Sequence, residues 1–264
     1  MDQKLVPEPA IRPVQAEPIA QWRNDLRRKR DVLRDAFFAS PDTARLLRDH
    51  ASLVDDVIRE VFTECAMPRD VAAVAVGGYG RGQLYPHSDV DVLVLLPSGV
   101  TPPAGAIEHF FATLWDIGIE LSHAVRTMEE CEGEMAADVT IRTSLLEHRF
   151  LAGAKGLYRQ FRHRFNERMD VRAFYDAKAL EQQQRHLKYQ DAIYNLEPNV
   201  KESPGGLRDL ASVLWIARAA GFGSTWRELA RNGLMTAGEA RAIHSTEARS
   251  RSPPGLSLTL GSRL

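Results

Sequence analysis

A surplus of either charge is missing from this chain: 34 lysines and arginines face 35 aspartates and glutamates over 264 residues. Domains that bind nucleic acid on their own are usually basic, so this balance argues against a nucleic-acid partner. Cysteine is scarce. Cys65 and Cys131 are the only two, far apart and without a Cys-x-x-Cys. That leaves no basis for a disulfide framework or a zinc site, and it fits a reducing, cytoplasmic compartment. Each thiol reads as a small buried hydrophobe. No apolar run is long enough to span a membrane. The start of the chain mixes Lys4, Glu8, Arg12 and Glu17 with prolines and has no apolar signal-peptide core. A P-loop is excluded, because no Gly-x-x-x-x-Gly-Lys-Ser/Thr occurs. Gly78-Tyr79-Gly80-Arg81-Gly82 is too compact for a dinucleotide fingerprint and lacks the acid expected about 20 residues further on.

What is present is concentrated in residues 76–95, Val-Gly-Gly-Tyr-Gly-Arg-Gly-Gln-Leu-Tyr-Pro-His-Ser-Asp-Val-Asp-Val-Leu-Val-Leu. Val71–Val76 is apolar and β-branched and predicts a buried strand. Gly77 and Gly78 follow at once, where glycine permits a sharp turn and a close approach of ligand to backbone. A short helix starting near Tyr79 would offer free N–H groups to a phosphate chain. Arg81 adds a forked cation suited to phosphate oxygens. Asp89 and Asp91 stand two apart in a second predicted strand, 89–96, so they share one face at roughly 6–7 Å spacing. Val90, Val92 and Val94 form the opposite, buried face. Two carboxylates so placed suit a pair of divalent cations about 3.5–4 Å apart. Alone, a glycine turn or an Asp-x-Asp is more often a plain turn or cap. Their combination between two strand-like runs favours a triphosphate–metal site.

The surrounding chain divides into four parts: a lead-in, 1–18; a nucleotide-handling α/β unit with N-terminal helices, 19–137; a helical domain, 138–244; and a divergent tail, 245–264. Ser40-Pro41 predicts the start of a second helix, with Ser40 as cap. Ala106–Ile117 predicts a helix and Ile119–Val125 a third strand. Thr127 to Glu130 has the form of a capping box. Asp138 caps a helix carrying Leu145, Leu146 and Phe150. Leu157–Met169, Phe174–Gln190 and Leu207–Ala220 predict further helices, the last ended by Gly221. Residues 195–206 form a loop. Arg27-Arg28-Lys29-Arg30 reads first as a solvated helix face, as do Arg159, Arg162, Arg164 and Arg168.

Gly77-Gly78, a spacer and Ser88-Asp89-Val90-Asp91 resemble the signature of the DNA polymerase beta nucleotidyltransferase superfamily. The longer pattern through Gly80-Arg81-Gly82 and Pro86-His87-Ser88 is similar to the bacterial uridylyltransferases that modify the PII nitrogen-signalling protein. So are Leu114-Trp-Asp-Ile-Gly-Ile-Glu-Leu-Ser-His-Ala-Val-Arg-Thr127 and Tyr194-Asn-Leu-Glu-Pro-Asn-Val-Lys-Glu-Ser-Pro-Gly-Gly-Leu-Arg-Asp-Leu210. The resemblance covers about residues 20–240. It implies a polymerase-beta-like α/β core followed by a helical domain. It also implies Mg²⁺ or Mn²⁺ as cofactor, UTP as donor and a PII tyrosine as acceptor.

A third carboxylate on a neighbouring strand is a superfamily trait; Glu120 is the first choice, with Asp116 and Asp138 in reserve. The metal set is then Asp89, Asp91 and Glu120. The nucleotide set is Gly77, Gly78, Arg81, Gly82, Ser88, Lys201 and Arg208. Ser88 either bonds a phosphate oxygen or merely starts the strand; His87 reads as a loop residue and His123 as core packing. Rival readings are adenylylation of glutamine synthetase, transfer to a small molecule, or a non-catalytic regulatory fragment. The family's hydrolase domain carries a His-Asp dipeptide. None of the eight histidines here is followed by aspartate, so uridylyl removal is not expected of this chain.

Overall fold

The computed structural model describes residues 16–99, 104–189 and 199–251. Two long helices open it, α1 (Ala16–Ala39) and α2 (Thr43–Glu64), followed by strand β1 (Ala72–Ala75) and a single turn of helix, α3 (Gly77–Gly80). Then come β2 (Val90–Leu96), α4 (Ala104–Ile117), β3 (Leu121–Thr127), α5 (Met128–Ala137), α6 (Val139–Leu146) and β4 (Arg149–Gly153). Helices α7 (Lys155–Arg168), α8 (Val171–Tyr189), α9 (Leu207–Ala219), α10 (Trp226–Arg231) and α11 (Ala237–Arg251) complete it. Among the described residues no helix is long and apolar enough to cross a membrane.

The sheet order is β3-β2-β1-β4. β1 lies antiparallel to both β2 and β4, and β2 runs parallel to β3. Side-chain alternation divides β2 between two cores. Val92 and Val94 join Val54, Ile58, Phe62, Phe110 and Leu114 beneath α2 and α4. Leu93 and Leu95 join Leu146, Phe161, Phe165 and Trp215 on the helical side. Asp91 shares parity with Leu93, so it faces the helical half. Both cysteines are free and buried, and burial pushes the Cys131 thiol up to about 12.

Several elements depart from the sequence expectation. Helix α2 starts at Thr43, because Asp42 outcompetes Ser40 as cap: its carboxylate accepts the Arg45 N–H at 2.9 Å. Strand β3 begins two residues later than Ile119, leaving Glu120 just before it. Phe150 is not in a helix. The helix capped by Asp138 stops at Leu146, and Arg149–Gly153 becomes an edge strand on β1. Pairing to the otherwise open edge of β1 overrides the local helical pattern. Helix α11 continues to Arg251, so 245–251, which show little period in sequence, are helical. The capping box at Thr127 and the Asp138 cap are present. The lead-in to residue 15, Pro97–Gly105 in part, 190–198 and the tail from 252 lie outside the described residues.

One buried network fixes the glycine turn against the rest. Tyr79, 1% exposed, donates its hydroxyl to Asp55 Oδ1 at 2.5 Å. Arg149 from β4 forks onto the same carboxylate, at 3.0 Å through Nη2, and also donates to the Tyr79 carbonyl at 3.2 Å. Arg59 reaches Asp55 from one helical turn away, at 3.2 Å. A second set of ties holds the loop that follows. Leu84 N–H donates to Leu47 O at 3.3 Å, and the Leu84 carbonyl lies 3.2 Å from His50 Nδ1. From the other end of the chain, Arg251 donates to Gln83 Oε1 at 2.9 Å.

Two outcomes are expected. Asp55→Ala leaves Arg149 and the Tyr79 hydroxyl buried without their acceptor. Removing one side of a buried charge pair costs about 3–5 kcal/mol, which for a chain of this size lowers the melting temperature by roughly 10 °C; a calorimetric melt within 2–3 °C of wild type would show the network to be dispensable. The second concerns pH. Burial lowers His50 to about 4, assisted by Arg30, and lowers His148 to about 4, assisted by Arg218 and Arg162. The unfolded chain takes up these protons near 6.5, before the folded one does. Stability is therefore full above pH 6.5 and falls as pH drops from 6.5 toward 4, by on the order of 3 kcal/mol per histidine at most. Urea titrations between pH 7 and 5 should show this slope, and His50→Gln should flatten it by about half. An unaltered slope in that variant would rule out His50 as a source.

Candidate active site

Strand β1 ends at the point where backbone must turn sharply across the end of β2. Gly77 makes the turn at φ +59°, a conformation costly for other residues. A Cβ here would stand 3.1 Å from Asp91 Oδ2 and 3.4 Å from Ser144 Oγ of α6. The missing side chain thus brings backbone directly against the carboxylate. The next bonds close one helical turn, Gly80 N–H to Val76 O at 2.9 Å and Arg81 N–H to Gly77 O at 3.1 Å. The N–H groups of Gly77, Gly78 and Tyr79 precede these and have no intrahelical acceptor. Gly80 is required for a different reason: a Cβ would lie 1.6 Å from the Glu147 carbonyl oxygen. Gly82, at φ +72°, has open space around it.

Arg81, read from the sequence as a forked cation for phosphate oxygens, has a protein partner: its guanidinium pairs with the buried carboxylate of Glu147, at the C-cap of α6. The pair fastens α3 to α6 and leaves about a third of the Arg81 side chain exposed. Glu147 is invisible to motif reading, since it lies 66 residues away.

Asp89 is exposed and immediately precedes β2; Asp91 is half-buried within it. Their shared parity puts both on one face. Burial raises the Asp91 carboxyl above its usual range, and the Asp89 charge adds to this, while a hydrogen bond from Ser122 opposes it. Ser122 is the direct partner of Asp91 in the parallel β2–β3 register. Alternation from Glu120 could have flagged it. Glu120 accepts the Val90 N–H through its carbonyl at 2.8 Å, which seats it beside Asp89, and its side chain is exposed. Among the described residues, no three carboxylate, histidine or cysteine side chains close around one point. Asp89 and Asp91 are thus a pair, with Glu120 at the neighbouring strand end. Ser88 is exposed, with its N–H on Tyr85 O at 3.1 Å. Asp138 is occupied as a helix cap, and the Asp116 carbonyl receives Arg23 at 2.9 Å. His123 does not sit in a core: it is exposed on β3 and packs against Phe111 and Trp115.

The 199–209 segment is built as a fastened loop. A Cβ on Gly206 would meet the carbonyls of Val200, Lys201 and Ser203 at 2.7–3.0 Å, so only glycine fits. Asp209 accepts the Gly205 N–H at 2.7 Å, pairs with buried Arg185 and lies 2.9 Å from His186 Nε2. Arg208 pairs with Glu202 at 3.2 Å and lies over the Trp215 ring, which Lys178 also approaches. Lys201 is exposed. Among the described residues no hydrogen bond or ion pair joins Lys201 or Arg208 to the Gly77–Asp91 group. The two regions communicate through α6, whose buried face shares a core with Trp215 of α9.

Comparison with known proteins accords with this layout. A nucleotidyltransferase domain model matches residues 58–143, and a GlnD PII-uridylyltransferase model matches 173–252. A bifunctional uridylyltransferase/uridylyl-removing enzyme of Bordetella avium is 54% identical over 203 residues, 76% of this chain and 24% of that protein. Enzymes of the same description from Burkholderia orbicola and Burkholderia vietnamiensis are 49% and 51% identical over 226 and 221 residues, covering 85% and 83% of this chain and 26% of each relative. The chain therefore spans about a quarter of the length of the curated relatives it matches. The first model falls on the Gly77–Asp91 turn and sheet, the second on the fastened loop and α8–α11; over these two stretches the chain is similar to nucleotidyltransferase domains and to PII-uridylyltransferases.

Proposed function

We propose that this chain transfers a uridylyl group from UTP to a tyrosine hydroxyl of a PII signalling protein in the cytoplasm. The observation that carries the reading is the contact of the Gly77 backbone with Asp91 at the end of β2, with Asp89 on the same face. A phosphate chain laid on the Gly77–Gly78 turn would lie directly against two carboxylates, an arrangement that makes sense only with cations between them. The donor set fits Mg²⁺ or Mn²⁺, being all oxygen and hard. The raised Asp91 carboxyl, burdened by burial and by Asp89, fits too, because a cation relieves both penalties. Asp89 and Asp91 would hold the metal, with Glu120 as the added ligand or as base. When bound, such ions lower the pKa of an attacking hydroxyl and neutralise the leaving phosphates.

The protein's own part is mainly positional. Gly77, Gly78 and Gly82 would admit the triphosphate, and the exposed Ser88 would bond a phosphate oxygen. The exposed part of Arg81 supplies positive charge beside the turn. Lys201 and Arg208, on their rigid loop, supply a second wall for the nucleotide. The tyrosine oxygen forms its bond to the α-phosphorus as the α–β bridging bond breaks. Pyrophosphate leaves, and the hydroxyl proton passes to Glu120 or solvent. Adenylyl transfer uses the same machinery, so the donor base is decided by assay with labelled UTP and ATP.

Asp89→Asn and Asp91→Asn should each lower the initial transfer rate to PII by about a hundredfold or more at saturating Mg²⁺, since each removes several kcal/mol of transition-state stabilisation. Their circular-dichroism melts should stay near wild type. A near-normal rate in either variant overturns the two-carboxylate assignment. Incorporation of label from ATP but not UTP overturns the choice of donor.

A further inference from the structure

Helix α6 lays one face along the glycine turn. Glu147, its C-cap, sets its carbonyl where a Cβ on Gly80 would stand and its carboxylate on Arg81. Ser144 lies one turn earlier on the same face. A Cβ built on Gly77 would meet the Ser144 hydroxyl oxygen at 3.4 Å and Asp91 Oδ2 at 3.1 Å. The hydroxyl, the carboxylate and the bare Gly77 backbone thus converge on one point. The helix does not need this hydroxyl. Alanine is the better former of a helix interior, and a serine or threonine there often returns its hydroxyl to the carbonyl four residues back. Thr143 does so, donating to Val139 O at 2.6 Å. Ser144 makes no such bond among the described residues, and it is only half-buried. Ser122, by contrast, is spent on Asp91, its register partner. The support under Ser144 is firm. Asp138 caps α6, Arg142 donates to Met135 O at 2.6 Å, and Thr143, Leu145 and Leu146 are buried.

We propose that Ser144 is a substrate-binding residue, its hydroxyl donating to a phosphate oxygen of a nucleoside triphosphate laid on the Gly77–Gly78 turn. The proposal rests on the nucleotidyl-transfer reading above. It extends that reading by giving the helical half a direct hold on the phosphate chain, through α6. A neutral donor suits this place. A lysine or arginine beside Asp91 would pair with it and compete with the cations the carboxylates are to hold. A hydroxyl bonds a phosphate oxygen and leaves Asp91 its charge. Hydrogen bonds to charged groups are the stronger ones, and losing one lowers affinity about tenfold or more.

The test uses the full chain with Ser144→Ala and Ser144→Cys. Calorimetry with Mg²⁺ present measures binding of a non-hydrolysable UTP analogue and of inorganic tripolyphosphate, which has the phosphate chain without the base. Mn²⁺ binding without nucleotide is followed by electron paramagnetic resonance, and each variant is melted. Ser144→Ala should weaken the analogue and tripolyphosphate alike, about tenfold. Mn²⁺ affinity should stay within about twofold and the melting temperature near wild type, since alanine favours the helix. Ser144→Cys keeps the shape but is a weak donor, so it should fall near Ser144→Ala. Recovery of full affinity in Ser144→Cys would mean that Ser144 only fills space, and would overturn the proposal. Unchanged affinity for both probes in Ser144→Ala overturns it too, as does a loss confined to the UTP analogue or a parallel loss of Mn²⁺. Should Ser144→Ala melt early, Ser144→Cys decides. If the wild type binds both probes yet transfers neither UMP nor AMP, the transfer reading fails, and the binding ratios still judge Ser144. If it binds neither probe, the phosphate reading of the turn fails and the proposal with it.

Discussion

The buried carboxylate of Asp55 is the constraint on which the rest of the site depends. It takes a hydroxyl from the glycine turn, a guanidinium from β4 and another from its own helix. Three elements distant in sequence are thereby brought to one point. A buried carboxylate is tolerable only when its lone pairs are satisfied, and these three donors satisfy them. Tyr79 is the member that matters for chemistry. It is the single bulky residue in a run of small ones, and its anchorage keeps the Gly77–Gly78 backbone in place while that backbone stays bare. The flexibility that glycine brings is removed by the neighbour that is not glycine.

Around that point the fold assigns distinct tasks to its halves. The sheet fixes Asp89 and Asp91 through register and alternation. The helical half closes against the same turn from below, through Glu147 on Arg81 and the carbonyl that abuts Gly80. Its own glycine loop is locked separately by Asp209, Arg185 and His186. What joins the two is α6, short and wedged between them. Small displacements of α6 would move the Gly turn and the Trp215 core together, since packed interiors shift as units.

The site was legible in sequence where chemistry and local periodicity coincide. Gly77, Gly78, Asp89 and Asp91 are readable because a turn and a strand face are local properties. The α/β core and most helices were readable for the same reason, as were the Thr127 and Asp138 caps. Some misses are local, as where Asp42 rather than Ser40 caps α2; those at the site are non-local. β4 reads as the end of a helix, because its strand character comes from the vacant edge of β1. The Glu147 partner of Arg81 is not readable, because it lies at the end of another helix. Asp55, Arg149 and Glu147 carry no motif, and their roles exist only once the chain is folded.

The order in which the chain is made bears on when the turn acquires its shape. β1 and β2 are joined by residues 76–89, which carry α3, and can pair before the downstream elements are made. Arg149 and Asp55, by contrast, are 94 residues apart. Closing a loop of that length costs about 4 kcal/mol of chain entropy, and it cannot begin until β4 has emerged from the ribosome. Until then β1 has one bare edge, and the carboxylate that holds Tyr79 has Arg59 but lacks the Arg149 guanidinium. The nascent chain thus passes through a stage in which the signature residues are all present but unformed as a site, and exposed sheet edge is the hazard of that interval. Completion of a five-residue strand far downstream is the event that ends it.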